Sequence, residues 1–192
     1  MPKAWGLCLR AGLGAKDRLV VLGDGAEWID QTAQWLFPRG LRILDYYHAA
    51  ERIWAVANAR WGEATQAAKG WAREKLHQLK CGQLKAVLAA MRGLKMRSEE
   101  GQRLRTAALN YLRVRQEQMR YGEYQAAGLP IGSGAVESTC EQMVTARCKQ
   151  AGMRWSEAGA DAILALRSFV LNERLDELCP KPVVSLDWAK AA

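Results

Sequence analysis

The chain has five cysteines, Cys8, Cys81, Cys140, Cys148 and Cys179, yet no two of them form a Cys-x-x-Cys pair. Zinc-ligand spacing is therefore absent. The amino-terminal Met1-Pro2-Lys3-Ala4-Trp5 has no apolar secretory core. No apolar run approaches the ~18 residues that a membrane span requires. The expectation is a soluble cytoplasmic protein that does not engage a membrane, with reduced, partly buried thiols. The phosphate-cradling GxxxxGK[ST] loop, the dinucleotide GxGxxG, the nucleophile elbow GxSxG and the metalloprotease HExxH are all missing. P-loop hydrolysis, Rossmann chemistry and serine hydrolysis lack their signatures. No internal repeat is evident.

What remains is an ordinary globular composition, 49% hydrophobic and 25% charged over 192 residues. A chain of this length should bury roughly 70% of its unfolded surface without a disulfide or structural metal. The formal net charge of +8 favours a polyanionic partner, nucleic acid before an anionic membrane surface.

The first 48 residues alternate between helical and strand signals. Trp5, Leu9 and Leu13 recur every four residues, which predicts a helix over 3–16. Leu19 to Leu22 reads as a buried strand stopped by Gly23-Asp24-Gly25. A helix over 26–36 follows, with Trp28, Ile29, Ala33 and Leu36 on one face and Pro38 and Gly40 beyond its end. Leu41 to Leu44 is a second strand, ending at Asp45. Helix, strand, helix, strand indicates an α/β fold with parallel neighbours.

From 49 to 125 strand signals vanish, and good helix formers predict helices near 49–61, 63–79, 81–93 and 99–119. Gly128-Leu129-Pro130-Ile131-Gly132-Ser133-Gly134 then makes a specified turn, with Ser133 a candidate N-cap. In the next helix Val136, Cys140, Met143 and Val144 form a core-facing stripe. Gly152 ends it. Ser156 caps a last helix whose buried face is Ile163, Leu166, Phe169 and Val170. The tail after Cys179-Pro180 is expected to be loosely held.

Several residues sit where chemistry is plausible on physical grounds. Asp24 ends a strand, where functional groups gather in open α/β sheets, and its carboxylate suits Mg²⁺. Aspartate also suits a tight turn for its own sake. Asp45 and His48, three apart, become neighbours at a helix start and are able to order the turn, assist a metal site or bond each other. Glu137 opens a glycine-introduced helix, where the helix dipole favours it, or where it supplies a metal ligand beside a phosphate backbone. Arg147, Lys149 and Arg154 suit phosphate neutralisation, whereas neighbouring Trp155 reads as a core residue.

Taken together, Val20 to Ile29, Phe37-Pro38, Ile43 to Ala49, Gly128 to Ser138 and Lys149 to Trp155 resemble bacterial insertion-sequence transposases of the Kra type, which are similar to Mutator-like transposases. The resemblance covers about residues 5–178. It implies a ribonuclease-H-like core interrupted by a large all-helical insertion. Residues 1–48 then form part of the core, 49–127 the insertion, 128–178 the core helices carrying the glutamate, and 179–192 a tail. Asp24 matches the second catalytic aspartate, Glu137 the glutamate, and Asp45 with His48 an accessory Asp-x-x-His motif. Mg²⁺ or Mn²⁺, two ions in the intact enzyme, would be bound through Asp24 and Glu137.

The first three strands and the first catalytic aspartate have no counterpart in the chain. It is therefore expected to be silent alone, and to act in transposition with a complementing amino-terminal fragment. The implied partners are transposon ends, target DNA and further copies of the chain. A strand left without its neighbours should also present an open edge and associate through it. The alternative is a non-catalytic nucleic-acid-binding or assembly module.

Overall fold

Two short strands, β1 (Val20–Gly23) and β2 (Leu41–Leu44), pair in parallel with Val20 opposite Leu41 and Gly23 opposite Leu44. Parallel neighbours need a crossover connection. Here it carries α2 (Glu27–Leu36), which follows α1 (Pro2–Arg10) and β1 in the chain. The computed structural model describes residues 2–14 and 16–178, with side chains from Trp5 onward. It divides into two compact units, Met1–Ser133 and Gly134–Ala192.

The α/β reading holds, with a sheet of only two strands among the described residues. Every residue of β1 is half-buried, not buried as the sequence suggested. The pairing explains this. Leu19 and Gly23 carbonyls accept from Leu41 and Asp45 at 2.9 and 2.7 Å. Residues of one parity thus face β2, and Val20 and Leu22 turn their main chain to the opposite edge, which has no paired strand among the described residues.

After β2 the first unit is helical: α3 (Tyr46–Trp61), α4 (Gln66–Lys80), α5 (Leu84–Gly93), α6 (Glu99–Val114) and α7 (Tyr121–Ala126). In α3, Ala49, Ile53, Val56 and Ala57 form the buried stripe of a core helix. Alanines at 49, 57, 68 and 72 let α3 and α4 approach closely. Thr65 caps α4 through the Ala68 amide at 3.2 Å, and Ser98 caps α6 through Gly101 at 3.1 Å. Ile53, Leu79, Met91 and Leu112 fill one cluster with Ile43 and Leu44 of β2. The strands and the helices share this core.

α6 ends at Val114, short of the expected 119, with a 3₁₀ turn at Gln116–Gln118 before α7. α1 likewise stops at Arg10, because Gly12 at φ +91° takes a left-handed conformation. α7 supplies Tyr121, whose buried phenol donates to the Leu44 carbonyl at 2.9 Å. That carbonyl points away from β1. Tyr121→Phe should cost about 1–3 kcal/mol by stranding it. The change should appear as a lower urea midpoint at constant slope, and an unmoved midpoint would mean that water takes the hydroxyl's place.

The second unit contains α8 (Gly134–Cys140), a π-helical turn (Glu141–Thr145), α9 (Ala146–Cys148) and α10 (Glu157–Leu171). Ser156 caps α10 as expected, accepting from the Gly159 amide at 3.1 Å. Arg167 of α10 donates to the Gln142 and Met143 carbonyls, which the widened π turn presents. None of its described residues is buried. The expected core stripes are corrected accordingly. Val136 and Cys140 are exposed and Met143 and Val144 half-buried; Leu166 and Val170 are exposed and Ile163 and Phe169 half-buried. Two helices of this length have too little volume to enclose a side chain between them. The tail expected at 179–192 lies outside the described residues.

Candidate functional site

Because Gly23 and Leu44 are the last paired residues, Asp24 and Asp45 follow at the same level at the carboxyl ends of adjacent strands. Their surroundings differ. Asp24 is exposed; its Oδ1 accepts from the Ala26 amide at 2.7 Å, closing a short Asx turn. No hydrogen bond to Oδ2 is formed among the described residues.

That turn is clasped from α6, far along the chain. The Tyr111 hydroxyl donates to the Asp24 carbonyl at 2.7 Å. Arg115 donates to the Gly25 carbonyl through Nε at 3.1 Å and Nη2 at 2.6 Å, and through Nη1 to the Tyr111 carbonyl at 3.3 Å. Tyr111 lies in the last turn of α6 and Arg115 is the C-cap of that helix, so both reach the turn from the same helix end. The Arg115 guanidinium lies 4.2 Å from the Tyr111 ring centroid, and that of Arg52, on α3, lies 4.7 Å from it. Burial pushes the Tyr111 hydroxyl up, while Arg115 and Arg52 draw it down and Asp24 opposes them. The phenol stays a neutral donor.

Asp45 is fully buried. Its Oδ1 accepts from the Tyr47 amide at 2.6 Å, the N-cap bond of α3, and its Oδ2 accepts from the Ser133 amide at 2.6 Å. Burial pushes its carboxyl up. The Ser133 hydroxyl and amide, the Tyr47 amide and the nearby His48 more than offset this and hold it below the usual range. Of the roles open to Asp45 and His48, ordering the turn is the one this geometry serves directly. His48 Nδ1 lies 3.8 Å from Asp45 Oδ1, an electrostatic contact beyond hydrogen-bond length, and this buried nitrogen has no hydrogen-bond partner.

Asp45 thereby ties the glycine-rich turn to β2. The Tyr46 amide also donates to the Ile131 carbonyl at 2.8 Å. A Cβ on Gly132 would stand 2.8 Å from the Tyr47 ring, and Gly128 sits at φ +69°. Two of the glycines thus have local packing or conformational reasons to be glycine.

Glu137 lies in the first turn of α8 in the second unit and is exposed. Arg147, on α9, and Lys149 and Arg154, in the connection to α10, are exposed in the same unit. Trp155 is 43% exposed, against the expected core placement. Asp24, Asp45 and His48 are brought to one strand end of the first unit. Among the described residues, no group of three or more His, Cys, Asp or Glu side chains is placed to hold a metal ion. A cavity of about 690 Å³ lies at the opposite end of the strands, between Trp5, Leu19, Leu36 and Phe37, away from the aspartates.

Tyr111, Arg115 and Arg52 were not singled out from the sequence. The i, i+4 spacing of the first two was visible, but a tyrosine and an arginine on a helix look the same whether they meet solvent or a turn 87 residues away.

No described helix is long and apolar enough to cross a membrane. No curated protein and no solved structure matches the chain. One family profile does match, over residues 13–176, a span that takes in every candidate residue above. By that match the chain belongs to the Uncharacterised protein family UPF0236.

Proposed function

We propose that the chain is part of a DNA transposase that cleaves and joins DNA strands by metal-dependent phosphoryl transfer on a ribonuclease-H-like core. The observation that carries this reading is Asp24, an exposed carboxylate at the carboxyl end of a parallel strand, in a turn locked by Tyr111 of α6 and by Arg115, which caps that helix. A carboxylate held by its backbone, with one oxygen left for a ligand, is what a hard divalent cation uses. The sequence resemblance pairs Asp24 with Glu137.

Asp24 and Glu137 would hold Mg²⁺ or Mn²⁺ together with a third carboxylate from another polypeptide segment. When bound, two such ions supply activation of a water or a DNA 3′-hydroxyl and stabilisation of the leaving oxygen. The residues of this chain bind and orient. Asp24 presents oxygen from a fixed turn, and Arg147, Lys149 and Arg154 neutralise backbone phosphates of transposon ends and target. The open edge of β1 fits a strand from a complementing fragment, and further copies of the chain complete the assembly.

The test is Mn²⁺ titration of the purified chain, read by the loss of free-ion signal in electron paramagnetic resonance. Asp24→Asn and Glu137→Gln should each weaken binding by about 10-fold or more. The chain alone should leave supercoiled DNA intact, because the carboxylate set is incomplete. Mn²⁺ binding indifferent to both substitutions would sink the metal reading. Robust cleavage by the chain alone would sink the claim that it is silent.

A second reading has its own observation. Both Asp45 oxygens are committed to main-chain amides, and no three-carboxylate cluster forms among the described residues. A non-catalytic nucleic-acid-binding or assembly module needs neither. DNA binding without Asp24-dependent metal binding would establish it.

A further inference from the structure

The arginines stacked on Tyr111 have different occupations. Arg115 commits its guanidinium to the Gly25 and Tyr111 carbonyls. Arg52 is exposed and rests against the same ring at 4.7 Å. Among the described residues it forms no ion pair with any carboxylate. An arginine without a carboxylate partner normally sweeps through solvent. Here the aromatic face restrains it and leaves its charge unneutralised.

Its position is defined as well. The ring beneath Arg52 belongs to the residue whose hydroxyl donates to the Asp24 carbonyl at 2.7 Å. The cation is therefore one side chain removed from the main chain of Asp24, a residue that is exposed. A carboxylate repels a phosphodiester, and a planar, pre-oriented guanidinium offers that phosphodiester two parallel donors.

We infer that Arg52, held against Tyr111, is a phosphate contact for a nucleic-acid strand passing Asp24. This rests on the reading that the chain binds nucleic acid. It adds a subsite in the first unit, whereas Arg147, Lys149 and Arg154 belong to the second. Stacking limits the freedom that Arg52 has left to lose, so the contact comes at a small entropic penalty. The chain's net charge of +8 supplies the general attraction, and Arg52 supplies a fixed point within it.

The experiment is fluorescence anisotropy of the full chain with a short labelled duplex, in EDTA, over a KCl series. Arg52→Gln should weaken binding several-fold and lower the slope of log K against log[KCl] by about one, the signature of one lost phosphate contact. Arg52→Lys should keep the slope, since the charge remains, while losing part of the affinity. Asp24→Asn should tighten metal-free binding, and the gain should differ in the Arg52→Gln background if both groups face one phosphate. A residue that only stabilised α3 would change the melting temperature and leave the salt slope alone. A wild-type slope in Arg52→Gln, with DNA still bound, overturns the subsite and spares the broader reading. Failure of the wild-type chain to bind DNA at low salt overturns both.

Discussion

Gly25→Ala should destabilise the first unit by about 2–5 kcal/mol, among the largest effects of any single substitution outside the core. Two causes add. Gly25 has φ +81°, where a Cβ costs ~1–2 kcal/mol. The Cβ would also stand 2.7 Å from Arg115 Nε, 2.7 Å from the Tyr111 hydroxyl and 2.8 Å from Leu44 Cδ1. Forcing such a contact typically costs ~1–3 kcal/mol. The neighbours cannot yield freely, because Tyr111 and Arg115 are the clasp on Asp24 and Gly25 themselves. Any relief would therefore move Asp24.

Gly70→Ala is the control. Gly70 lies within α4 with nothing within 4 Å of its added Cβ. There alanine should stabilise by ~0.5–1 kcal/mol through helix propensity. Urea denaturation followed by circular dichroism should move the two midpoints in opposite directions. A shift of the same sign for both would mean that the Gly25 turn is not held as described.

The second large effect belongs to Asp45. Asp45→Ala should cost about 1.5–5 kcal/mol. It removes the N-cap of α3, a loss of ~0.5–2 kcal/mol, and takes the Asp45 acceptor from the half-buried Ser133 amide, a further ~1–3 kcal/mol. The glycine-rich turn would lose its bonds to Asp45 and keep the Tyr46 to Ile131 bond at the end of β2. Asp45→Asn should recover part of the loss, because its carbonyl oxygen still accepts one of the two amides.

The same group makes stability depend on pH with a definite sign. Its folded pKa is lowered, so its contribution is complete above the unfolded value near ~3.9. As pH falls from there toward the folded value, the unfolded chain takes up the proton first and the contribution is lost. Wild-type stability should therefore decline through that acid window more steeply than that of Asp45→Ala. The comparison is of urea midpoints measured from about pH 3 to pH 6. Parallel acid limbs in the two proteins would show that Asp45 is not the charge responsible.

Local sequence signals suffice at Asp45 and do not suffice at Gly25. Asp45 as the residue between β2 and a helix followed from an apolar run, a stop and a possible helix start, all within ten residues. The Ser156 cap was local in the same way. Gly25 was recognisable as a turn glycine, but nothing near it in sequence announced Arg115 and Tyr111. Trp28 shows the opposite failure. Its spacing puts it with Ile29, Ala33 and Leu36 on one helical face, yet it is 68% exposed while Ala33 is buried. A helical period says which residues share a side. It does not say how far the neighbouring element extends across that side.

The sequence by itself determined the order of helices and strands through α6, the parallel sense of the two strands, and the placement of Asp24 and Asp45 at strand ends. Each of those depends on interactions within a few residues, such as alternation, capping and glycine geometry, which composition and spacing encode directly. Only the tertiary structure decided that both Asp45 oxygens are taken up by main-chain amides, that Asp24 keeps an exposed carboxylate in a turn clasped by Tyr111 and Arg115, and that Arg52 rests on the same ring. Those facts require segments about 60 to 90 residues apart to meet. A buried carboxylate survives only where donors converge on it, and an arginine stays put only where a ring is brought beneath it. Convergence of that kind is a property of packing.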